Sequence, residues 1–142
     1  MKKHKHTMST TVDRYREQKK RLADKIQARR DHKDTLFRML FSSRENLLSL
    51  YNAVNGTHYT DPTALKVVTL ENAVYMNMKN DQAFLLDFHL NLYEHQSTWN
   101  PNMPLRFLLY VAKEYQMLIR NQTIYSSALV SLPTPHFIVF YN

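Results

Sequence analysis

The chain has 142 residues, with 19 Lys and Arg against 12 Asp and Glu, a formal net charge of +7, one glycine and no cysteine. That is enough for one domain with a modest core. The composition excludes disulfide frameworks, thiolate metal sites, and Gly-rich phosphate or dinucleotide loops. No apolar run reaches membrane-spanning length, so no membrane partner is expected.

The charge is uneven. Residues 1–33 hold 12 of the 19 basic and 4 of the 12 acidic side chains, a balance of +8, while residues 34–142 sum to −1. A basic N-terminal arm over 1–30 is therefore expected, either as a polyanion binder or as a solubilising leader. The arm begins charged and lacks the hydrophobic segment of a secretory signal. Together with the lack of cysteine, this points to a cytoplasmic chain. Residues 1–11 are polar and aperiodic, and His4 and His6 alone do not make a metal site. Helix formers dominate from Val12 to Arg30. Only Tyr15, Leu22 and Ile26 supply an apolar stripe, so that helix is expected to be exposed.

Asp34 opens the first well-patterned element, in which Leu36, Phe37, Leu40 and Phe41 recur at helical spacing. It reads as the N-cap. Ser42-Ser43-Arg44-Glu45 reads as a capping box for a second helix with Leu47, Leu48, Tyr51 and Val54 buried, ended by Gly56. Pro62 suits one short helical turn. Lys66 to Leu70 reads as extended, and residues 71–78 fit a strand or a short helix equally.

Asn80 to Ser97 reads as two strands joined at Asp87-Phe88. In that register Leu86 faces His89, Leu85 faces Leu90, Ala83 faces Leu92 and Asp81 faces Glu94. Gln96 shares Glu94's face and Lys79 shares Asp81's. Two acids directly across a strand pair repel. A divalent cation held by both carboxylates offsets that cost, and solvated strand ends are the plainer alternative.

Asn100-Pro101-Asn102-Met103-Pro104 breaks the chain, and a helix follows to about Arg120. Leu105, Leu108, Leu109, Ala112 and Ile119 read as its buried face. Arg106, Tyr110, Lys113 and Arg120 share another face, suited to phosphate oxygens or simply to solvent. Residues 121–135 read as loop because of Pro133 and Pro135, and 136–141 read as a buried parallel strand. Tyr93 and Trp99 read as core aromatics, and His95 as structural, since it points away from Glu94 and Gln96. His58, His89 and His136 stand at no ligand spacing.

An Asp on one strand followed by Glu-x-Lys or Glu-x-Gln at the end of the next is the signature of the PD-(D/E)XK nuclease superfamily. More narrowly, LYEHQS (92–97) with NPNMPLRFLLYVAKEY (100–115), KDTLFRMLF (33–41) and LPTPHFIVFYN (132–142) resembles the recombination-promoting, transposase-like nuclease family over residues 31–142. The resemblance implies an α/β, restriction-endonuclease-like mixed sheet flanked by helices. It implies a DNA endonuclease using Mg²⁺ or Mn²⁺, with Asp81 and Glu94 as metal ligands beside the His95 carbonyl. Gln96 stands where the superfamily commonly has a lysine that orients the attacking water; Lys79 is placed to supply that missing charge. An acid of the first helix sometimes joins such sites, which gives Asp34 an auxiliary role as alternative to the cap. Arg106 and Tyr110 match recurring family positions, and with Lys113 are expected to contact DNA. Family members usually continue past residue 142, so a C-terminal region or a further copy of the chain is expected to complete the sheet. Two other readings compete: a catalytically inactive remnant binding nucleic acid through its basic arm, and a non-enzymatic interaction module.

Overall fold

The computed structural model describes residues 5–69 and 80–141, without the side chains of 5–11, 29–31 and 34. Two compact units are present, Met1–Thr35 and Leu36–Asn142. The elements in chain order are α1 (Lys5–Leu40), α2 (Arg44–Asn55), a 3₁₀ turn (Pro62–Ala64), β1 (Lys66–Val67), β2 (Gln82–Leu86), β3 (His89–Gln96), α3 (Met103–Leu118) and β4 (Thr134–Tyr141).

The periodicity of the first 41 residues suggests an aperiodic start and two helices, but α1 is one helix. No glycine or proline interrupts residues 5–40, so nothing stops propagation. Asp34 therefore lies inside the helix rather than at its N-cap position; its side chain lies outside the described residues. Val12, Tyr15, Leu22 and Ile26 are exposed, as a thin stripe requires. Of the four apolar residues at the end of this stretch, Phe37 is buried and Phe41 half-buried, whereas Leu36 and Leu40 are exposed.

Helix α2 starts one residue later than the capping box predicted. Ser43 is the N-cap, with Oγ accepting from Asn46 N, and Ser42 Oγ donates instead to Met39 O. Leu47, Leu48 and Tyr51 are buried, but Val54 is exposed. Gly56 ends α2 in the left-handed region at φ 64°, where the lack of a Cβ removes the steric cost.

The sheet order is β1-β2-β3-β4. Strands β1 and β2, and β2 and β3, are antiparallel; β3 and β4 are parallel, joined across α3. The hairpin pairs Leu86 with His89, Leu85 with Leu90 and Ala83 with Leu92, the expected register. Its turn places Asp87 at φ 50°, a conformation aspartate tolerates better than most residues, and Tyr59 Oη donates to its carboxylate. Alternation then sorts the faces. Ala83, Leu90 and Leu92 pack with Met103, Phe107, Tyr110 and Val111 of α3. Phe84, Leu86 and Tyr93 pack with Leu47, Leu48 and Tyr51 of α2.

Helix α3 turns a different face to the sheet from the one predicted. Leu105, Leu108, Leu109 and Ala112 are exposed, and Ile119 is only half-buried; Met103, Phe107, Tyr110, Val111 and Glu114 are buried. The leucine stripe has the stronger hydrophobic signal. The other face fills the sheet with aromatic bulk and brings Arg106 to a buried acid. Strand β4 is parallel, as expected, but not fully buried, because it is the last strand of the sheet. Its edge position also admits Pro135 within the strand. Tyr93 is fully buried, whereas Trp99 is 74% exposed and belongs to no core.

Asn91 on β3 is buried, and neither end of its amide has a hydrogen-bond partner among the described residues. An unsatisfied buried amide costs about 1–3 kcal/mol. Asn91→Val, which suits a strand, is expected to stabilise the fold by about 1–2 kcal/mol, read as a rise of roughly 5 °C in a thermal melt.

A candidate metal centre

The site stands where β2 begins and β3 ends. Continuing the ladder beyond Gln82 and Tyr93 sets Asp81 beside Glu94, and strand alternation points both towards α3. Asp81 lies one residue before the strand, so its N–H is not spent on the ladder. It donates instead to Glu94 Oε1 at 3.0 Å, and Asp81 Oδ2 accepts from His95 N at 2.8 Å. Two carboxylates, 5% and 1% exposed, are thus tied together through each other's strands.

Two guanidinium groups close over them. Arg106 Nη2 donates to Glu94 Oε2 at 3.0 Å. The same guanidinium donates to Tyr110 Oη through Nε and Nη2, and Nη1 touches Met103 Sδ. Arg106 and Tyr110 are one helical turn apart, which lets Tyr110 Oη steady the guanidinium that bonds Glu94. Arg38, in the last turn of α1, donates from Nε to Asp81 Oδ1 at 2.9 Å. Its backbone carbonyl accepts from Gln82 Nε2 at 3.4 Å.

Burial and the neighbouring Asp81 charge push Glu94 up to about 8, against the opposing pull of Arg106, the Asp81 N–H and Arg38. Each carboxylate oxygen already accepts one hydrogen bond and keeps further acceptor capacity. All-oxygen donors suit Mg²⁺ or Mn²⁺ rather than a soft metal, so the residues fit the ion the family resemblance implies. Among the described residues no set of three His, Asp or Glu stands at metal spacing.

The remaining predicted positions divide. Gln96 is half-buried on Glu94's side of β3, opposite Tyr141 of β4. The His95 ring stacks on Phe37, with centroids 5.4 Å apart, on the other side. Lys113 is half-buried and joins no ion pair among the described residues. Lys79 lies outside the described residues.

Two residues were missed. Arg38 gave one faint sign: it is the sole cation between Lys33 and Arg44. Glu114 follows Arg106 and Tyr110 along the same helical row, at i+8 and i+4. It is fully buried, and neither carboxyl oxygen makes a hydrogen bond among the described residues. Burial raises it from the ordinary 4.5 to about 7, with the Asn80 amide pulling the other way. A folded-state value above the unfolded one means that the folded chain retains a proton the unfolded chain releases. This contribution to stability is complete below pH 4.5 and is lost as pH rises through about 7. Thermal melts between pH 5 and pH 8 are expected to show that decline, and Glu114→Gln is expected to flatten it.

Among the described residues no helix is long and apolar enough to cross a membrane. A scan against family models, a search of curated proteins and a search of solved structures each found no match to this chain.

Proposed function

We propose that the chain is a Mg²⁺- or Mn²⁺-dependent DNA endonuclease with a restriction-endonuclease-like core, of the transposase-like, recombination-promoting kind its sequence resembles. The carrying observation is the pair of buried carboxylates, Asp81 and Glu94, set side by side at the ends of adjacent strands and faced by two guanidinium groups. A buried like-charged pair is expensive, and binding a divalent cation is the use that best accounts for it. Asp81 and Glu94 hold the ion, which when bound polarises a phosphodiester and activates water for its hydrolysis. Glu94 must release its proton first, so ion affinity is expected to rise with pH up to about 8. Arg106, fixed by Tyr110 and Glu94, orients Glu94 and presents positive charge at the site. Gln96 hydrogen-bonds water or phosphate but adds no charge. The basic helix α1 contributes sequence-independent attraction to DNA, and the chain acts in the cytoplasm.

One observation favours a second reading. Arg38 and Arg106 already neutralise both acids, which is what a purely structural cluster in an interaction module requires. DNA binding through α1 without catalysis is compatible with that reading. The test is incubation of circular DNA with the purified chain in Mg²⁺, with EDTA beside it. Chelator-sensitive cleavage supports the nuclease. Binding without cleavage, sensitive to salt and lost on removal of residues 1–30, supports the basic-arm alternative.

A further inference from the structure

The two guanidinium groups of the site are not held alike. Arg106 is anchored by Glu94, Tyr110 and Met103, and its side chain is 31% exposed. Among the described residues Arg38 has a single side-chain bond, from Nε to Asp81, and its side chain is 45% exposed. The Arg38 end of its pair is half-exposed on a long flexible side chain, so its release returns the guanidinium to water at little cost, while the buried Asp81 needs a replacement cation. Once Glu94 is ionised the two arginines neutralise the two acids, and adding a divalent cation to the same carboxylates leaves a surplus of two positive charges in a partly buried space. Releasing one guanidinium relieves part of that surplus, and Arg38 is the one whose release breaks fewest contacts.

Resting on the nuclease reading, we infer that Arg38 is the exchangeable cation of the Asp81–Glu94 pair. Without a divalent ion it holds Asp81 through Nε. When the ion binds, its guanidinium is freed at the mouth of the site, where its planar fork of N–H donors matches the oxygens of a DNA phosphate. The site thereby couples phosphate recognition to ion occupancy, because the group that grips the phosphate is engaged elsewhere until the ion arrives.

The test is Mn²⁺ titration of the full chain, following the free-ion signal by electron paramagnetic resonance. Wild type is compared with Arg38→Gln, which keeps side-chain length and removes the charge, and with Asp81→Asn as a ligand control. Circular dichroism melts confirm that each variant is folded. Arg38→Gln is expected to bind Mn²⁺ about five- to tenfold more tightly than wild type, because the competing cation is gone. In Ca²⁺, its affinity for a short DNA duplex is expected to fall several-fold, with no change in EDTA. Unchanged or weaker Mn²⁺ binding by folded Arg38→Gln overturns the exchange while leaving the metal reading intact. An equal loss of DNA affinity with and without the ion also overturns it, making Arg38 a constant phosphate contact. Absence of Mn²⁺ binding in wild type and Arg38→Gln alike removes the metal reading and this inference together.

Discussion

Asp81→Asn is expected to lower metal-dependent DNA nicking by about a thousandfold or more while the protein stays folded. Removal of the ion from its site forfeits several kcal/mol of transition-state stabilisation, and each 1.36 kcal/mol is a factor of about ten in rate. Stability responds to opposing effects. Asparagine retains one of the two acceptors that meet Arg38 Nε and His95 N, and its amide group faces the other donor. Against this, the repulsion between Asp81 and Glu94 disappears, and Glu94 is expected to titrate below its present value of about 8. The net change in stability is expected to be under about 2 kcal/mol. Nicking rates and chemical denaturation of the same preparation measure both quantities. A variant that loses activity only by unfolding would not bear on catalysis.

Arg106→Ala has the largest expected effect on stability. It leaves Glu94, 1% exposed, with its Oε2 unpartnered. Removing one partner of a buried pair typically costs about 3–5 kcal/mol, and the partial exposure of Arg106 puts this case near the lower figure. The cost depends on pH with a definite sign. Glu94 stands above its ordinary value in the fold, so the stability linked to its proton is complete below 4.5 and is lost as pH rises through about 8. Without Arg106 the value rises further, because that guanidinium was lowering it. At pH 6 Glu94 avoids the penalty by keeping a proton; at pH 9 it has to pay it. Denaturant midpoints are therefore expected to separate from wild type more at pH 9 than at pH 6. The double variant Arg106→Met with Glu94→Gln is expected to recover most of the loss, since no unpaired charge remains.

The hairpin was legible in the sequence because its apolar residues sort onto two faces, each matched to a different helix. A one-residue slip would swap those faces and turn Leu90 and Leu92 away from α3, and this fixes Asp81 against Glu94. The turn contributed little, since Asp87-Phe88 is not a strong hairpin dipeptide. Gly56 and Pro62 were legible because backbone geometry alone assigns them. Helix α3 was misread because periodicity finds an apolar stripe without telling which of two stripes meets the sheet. Leu105, Leu108 and Leu109 outscore Phe107, Tyr110 and Val111 in regularity, yet the latter supply the bulk and carry Arg106 to Glu94. Asp34 was misread because an aspartate before an apolar run is a start signal only where the chain is not already helical. Arg38 and Glu114 were invisible because their roles depend on long-range placement: Arg38 meets Asp81 43 positions away, and Glu114 is defined by burial.

The most direct measurement is the initial rate of nicking of supercoiled plasmid by the full chain at pH 8 in Mg²⁺. It is run beside EDTA and beside the Asp81→Asn with Glu94→Gln double variant. Nicked circles are expected from wild type in Mg²⁺ and none in either control. Equal nicking by the folded double variant, or nicking that persists in EDTA, would contradict the assignment of the carboxylate pair. Intact plasmid in every lane, with wild type folded and bound to DNA, would contradict the nuclease itself.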